Sequence, residues 1–160
     1  MVDDALASED LVLVLAADDS WMFVGTVTEV LEHADRHRRT GHAPQDLARP
    51  APRSLDFHDA AGHRLQPLVD ERLVVHGFAV ADTPADPVTT RQRIDRVLET
   101  ARAHLAAHPP GAQTHYPVGT EVPEVTGDLS EVLAQLRVAE QIPDNAHKRG
   151  WFHNLLHAMG

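Results

Sequence analysis

The apolar and polar positions divide the chain into short strands followed mostly by helices. Leu11-Val12-Leu13-Val14-Leu15 is a continuous apolar run of strand length, the pattern of a buried strand. Asp18-Asp19-Ser20 supplies turn chemistry, and Trp21-Met22-Phe23-Val24 reads as a second strand that Gly25 breaks. A helix is expected from near Thr26 or Thr28, because Thr26 and Glu29 have the spacing of a capping box. Val27, Val30, Leu31, Ala34 and Arg38 share one stripe of it, and Thr40-Gly41 ends it.

Residues 41 to 53 hold Pro44, Pro50 and Pro52 with little apolar content, which predicts an extended connection. Leu55-Asp56-Phe57-His58 and Arg64-Leu65-Gln66 flank a loop, Asp59-Ala60-Ala61-Gly62, whose glycine suits a left-handed backbone. A second turn at Asp70-Glu71 leads into the run Leu73 to Val80, so residues 54 to 82 are expected to form a three-stranded antiparallel meander.

The second half is helical in pattern. Asp86-Pro87 is an N-cap followed by proline at the first helical position, and Ile94, Val97, Leu98, Ala101 and Leu105 form a regular apolar stripe. After an irregular segment over 109–127, Asp128 and Glu131 form a second capping box before Leu129, Val132, Leu133 and Leu136. A last helix is expected to carry Trp151, Phe152, Leu155, Leu156 and Met159. The reading is one α+β domain over residues 1–160, its first nine residues loose. An antiparallel sheet, made of an N-terminal strand pair and the meander, is packed by about four helices.

Composition narrows the function more than it defines it. The chain has 160 residues, 42% hydrophobic but only 4% aromatic, so leucine, valine and alanine must build the core. No apolar run has the length of a membrane span. The acidic Met1-Val2-Asp3-Asp4-Ala5 argues against a secretory signal, and there is no cysteine, so a cytoplasmic protein is expected. A net charge of −10 disfavours nucleic acid as a partner. The basic runs at Arg36–Arg39 and His147–Arg149 read as solvated helix ends. Thirteen arginines against the single Lys148, with abundant alanine, have the bias of a GC-rich bacterial-type genome.

Among the 12 histidines, three pairs fall four apart: His33/His37, His104/His108 and His153/His157. About one such pair arises by chance at this content, and a zinc site needs further ligands. His153 and His157 are the metal candidates, but they lie away from the apolar stripe of their helix and read as surface residues. No nucleophile elbow and no glycine-rich phosphate loop occurs, so no cofactor is expected.

His76, His58 and Asp56 are the catalytic candidates. Asp56 and His58 alternate with Leu55 and Phe57, so they share one face of a strand, where a carboxylate beside an imidazole makes a general base. The plainer expectation is the polar outer face of a half-buried sheet. His76 lies in an apolar run, sharing a face with Val74, Phe78 and Val80. It is expected to be enclosed, with a depressed pKa. His115 and Tyr116, in the stretch Thr114 to Gly119, and Trp151 are the interaction candidates.

The expectation is therefore a non-enzymatic protein-interaction or regulatory module that binds another protein or itself, with no nucleic acid and no membrane partner. The alternatives are a small ligand-binding protein or enzyme with a His/Asp pocket between sheet and helices, and a histidine-based metal-binding protein.

Overall fold

β1 (Leu11–Ala16) is the centre of the protein, and it explains the uninterrupted apolar run: both of its faces are covered. The computed structural model describes residues 5–39, 55–107 and 122–141. Among these, β1 is followed by β2 (Met22–Thr26), α1 (Val27–Arg39), β3 (Leu55–Asp59), β4 (Arg64–Val69), β5 (Val75–Val80), α2 (Pro87–Ala107) and α3 (Leu129–Gln141). The strands form one antiparallel sheet in the order β2-β1-β3-β4-β5. Three helices are described; the fourth, expected around Trp151–Met159, lies outside the described residues.

Alternation along β1 sorts the core into two halves. Leu13 and Leu15 face one way, with Met22 and Val24 of β2, onto Ile94, Val97, Leu98 and Ala101 of α2 and Leu129, Val132, Leu133 and Leu136 of α3. Val12 and Val14 face the other way, onto Val27 and Val30 of α1, Leu65 of β4 and Phe78 of β5. The sheet curls, so α1 touches β1, β2 and β5 together. Each fully buried leucine or isoleucine contributes about 2 kcal/mol.

The helix starts follow their sequence signals. Thr26 Oγ1 accepts from Glu29 N at 3.2 Å while the Glu29 carboxylate accepts from Thr26 N at 2.8 Å. Asp128 and Glu131 repeat this exchange at 2.9 and 2.8 Å. Asp86 caps α2 through Thr89 N at 3.0 Å. Gly25, expected to break β2, stays in it and pairs with Val12. A β-carbon there would stand 2.9 Å from the Glu29 carboxylate, so its glycine makes room for the cap rather than ending the strand. Ala5 and Leu6, in the stretch expected to be loose, reach β5: Ala5 bridges Ala79, and Leu6 N donates to the Phe78 carbonyl at 2.9 Å.

Two features of the meander position everything that follows. The β3–β4 loop turns at Gly62 with φ +87°, and Asp86 N donates to the Gly62 carbonyl at 3.0 Å, docking the hairpin on the start of α2. The β4–β5 ladder carries a bulge: Leu68 pairs with Gly77 and Val69 with Val75, leaving His76 as the extra residue.

Candidate functional site

The antiparallel register of β1 with β3 places Leu15 opposite Asp56 and Leu13 opposite His58. Directly opposed residues share a sheet face. Asp56 and His58 therefore point toward α2 and α3, with Leu13 and Leu15, and not toward solvent. This corrects the expectation of a polar outer face. β3 is an inner strand, covered on both sides by its neighbours and on this face by a helix, which strand periodicity alone does not reveal.

Asp56 is held by two arginines. Arg93 of α2 donates from Nη1 to Oδ2 at 3.1 Å, and Arg64 of β4 from Nη2 to Oδ1 at 3.2 Å. Arg93 is the hub: only 14% exposed, it also donates from Nε to Asp19 at 2.7 Å and from Nη2 to the Ala16 carbonyl at 3.0 Å. Arg96 donates to the other Asp19 oxygen at 2.9 Å. Asp19, with φ +56°, is thus more than a turn residue; it anchors α2 on the end of β1. Sequence reasoning missed Arg93, although a signal existed. Thr90, Ile94, Val97 and Leu98 are all buried on α2, and position 93 falls on the same stripe.

His58 stands beside this network without joining it. Both of its ring nitrogens are shut off from solvent and have no hydrogen-bond partner. Burial lowers its pKa below the usual histidine value. Arg93 and Arg64 lower it further, while Asp56 and Asp59 pull it up. A neutral, enclosed ring and a carboxylate already engaged through both oxygens do not make an accessible base.

His76 is the second correction. It is exposed, not enclosed. As the extra residue of the bulge it shifts the alternation: Val75, Phe78 and Val80 are the β5 residues that pack on the core, so parity reverses across position 76. Another pair was not anticipated: Asp59 Oδ1 accepts from Ala61 N and His63 N, and Oδ2 pairs with His63 Nδ1 at 2.9 Å, ordering the β3–β4 loop. Of the paired histidines, His33 stacks on Phe23 with ring centres 4.4 Å apart. His115, Tyr116, Trp151, His153 and His157 lie outside the described residues. Among the described residues no three histidine or carboxylate side chains are grouped to hold a metal ion, and no helix is long and apolar enough to cross a membrane.

Two surface features remain. At the β4–β5 tip, Asp70 accepts from Arg72 N and Val74 N, and Leu73 N donates to the Asp70 carbonyl. The turn places Leu73 in the left-handed region, φ +59°, where the residue is 82% exposed; Val69, at the end of β4 where the turn begins, is 52% exposed. Between β3 and β4 a concave slot of about 290 Å³ opens where the strands part.

Comparison with protein-family models, curated proteins and solved structures returned no match, so the geometry carries the functional reading.

Proposed function

We propose that this protein is a non-catalytic interaction module that engages another protein through the tip of the β4–β5 hairpin. The carrying observation is Leu73. A leucine in the left-handed region costs about 1–2 kcal/mol relative to glycine, and at 82% exposure it recovers almost none of that by burial. An apolar side chain held outward at such a cost has a use when a partner covers it. Val69 is a second exposed apolar residue where β4 enters this turn, and the intervening Asp70, Glu71 and Arg72 supply the polar residues that interface rims carry. The closed state of the interior supports the same reading, since Asp56 is ion-paired and the His58 nitrogens are enclosed.

A photo-crosslinking amino acid at position 73 tests this against the same group at position 88, where Val88 is also exposed but lies on α2. The expected result is a discrete adduct from position 73 alone, suppressed by excess wild-type protein and not by the Leu73→Asp variant. Identical adducts from both positions, or equal competition by Leu73→Asp, would count against the tip. Sedimentation velocity on wild type and Leu73→Asp separates self-association from a different partner.

A further inference from the structure

We propose that protonation of His58 releases the first two turns of α2 from the β3–β4 hairpin. This proton-operated latch is separate from the β4–β5 tip and does not depend on it.

The latch follows from the way α2 is tied down. At its start Asp86 N donates to the Gly62 carbonyl at 3.0 Å, and about two turns on Arg93 reaches Asp56 at 3.1 Å. His58 sits on the helix-facing side of β3 between these two tethers. Both of its ring nitrogens are shut off from solvent and have no partner. The stretch between the tethers is lightly held: Pro87, Val88 and Thr89 are exposed, and Thr90 is the only buried residue of α2 before Ile94. The helix beyond is committed to the core through Ile94, Val97, Leu98 and Ala101. A segment with so few buried contacts opens locally at low cost.

Charge supplies the trigger. On β4 Arg64 stands directly opposite His58, Arg93 acts on it from α2, and its opposite on β1 is the apolar Leu13. On its own strand, Asp56 already accepts from both arginines, while Asp59 points to the other face with Val12 and holds the loop. Arg64, Arg93 and Arg96 against Asp19 and Asp56 leave one positive charge in excess before His58 gains a proton. An imidazolium makes the excess two and brings two N–H donors that meet no acceptor. Burial and the two arginines accordingly hold the His58 pKa below the ordinary value, against the pull of Asp56 and Asp59. β3 is locked between β1 and β4 by its ladders, so the wall that gives is the start of the helix. A ring set free regains a pKa of about 6.5, and opening is favoured as pH falls through that value.

The test is amide hydrogen exchange of ¹⁵N-labelled protein at about pH 7.5 and pH 5.5, on either side of the free histidine pKa, with and without a low concentration of urea. Protection of Asp86 and Thr90–Arg93 should fall close to tenfold, the factor by which a group of pKa about 6.5 takes up a proton over that interval. It should also lie below that of β1 and ignore the urea, because local opening exposes little surface. Both His58→Leu and the polar His58→Gln should abolish the pH response. His63→Gln, which removes the neighbouring imidazole, should keep it. Urea dependence equal to that of β1 would mean that these amides exchange by global unfolding. That result, a fall below about twofold, a response persisting in both His58 variants, or its disappearance in His63→Gln would each overturn the proposal.

Discussion

Arg93 of α2 and Asp56 of β3 meet at 3.1 Å beneath the helix, 37 residues apart in the chain, and the same guanidinium spans to Asp19 at 2.7 Å. One side chain therefore ties the second helix to both the β1–β2 turn and the middle strand. Arg93→Met should lower unfolding free energy by about 1–3 kcal/mol, because it leaves two partly buried carboxylates with only their more exposed partners, Arg64 and Arg96, and frees the Ala16 carbonyl as well. Chemical denaturation measures it; a loss below about 0.5 kcal/mol would mean that the network is solvated.

The enclosed ring of His58 makes stability depend on pH. Its pKa is lowered in the folded state, chiefly by burial, so the unfolded chain binds the proton more readily. Stability from this group is fully present above the ordinary histidine pKa, about 6.5, and is lost as pH falls below it toward the lowered folded value. His58→Leu replaces two unpartnered buried nitrogens with apolar atoms. It should match or exceed wild-type stability at pH 5.5 and show a flatter profile between pH 7 and pH 5. Melting curves of the two proteins across that range give the comparison, and parallel profiles would contradict it.

Leu73→Gly should separate stability from binding. Glycine relieves the left-handed strain at φ +59° but adds unfolded-state entropy, so the net change should run from neutral to a gain of about 1 kcal/mol. Partner capture should fall in the same variant. A stability loss greater than about 1 kcal/mol would show that the leucine packs in the fold after all.

Gly62→Ala should be severe, because this loop glycine is buried against the start of α2. The left-handed φ of +87° disfavours any side chain, and the added β-carbon would stand 2.6 Å from the Pro87 nitrogen. A loss of at least about 2 kcal/mol is expected, together with weakened hydrogen-exchange protection in the first turn of α2. Wild-type protection there would mean that the hairpin does not brace the helix.

The sequence by itself determined most of the described elements. Caps at Thr26, Asp86 and Asp128 act within three residues, so their geometry is encoded locally, and each helix starts where its cap stands. The unbroken run of β1 and the glycine of the β3–β4 loop are local in the same sense: burial on both faces favours an all-apolar strand, and a left-handed backbone favours Gly62. The α+β class and the antiparallel sheet followed from these.

What only the tertiary structure decided was which strand lies beside which, and hence which way each polar side chain faces. Period-two alternation puts Asp56 and His58 on one face of β3 but is silent on whether that face meets water or a helix; the pairing of β3 with β1 settles it. His76 was misjudged for a related reason. A bulge is defined by a partner strand, and counting along β5 alone assigns its alternation the wrong parity beyond position 76. Arg93, Asp19 and Asp56 are distant in sequence and individually ordinary, and their charges combine only because folding brings α2 across the end of the sheet. Long-range pairing carries that information, and no local propensity does.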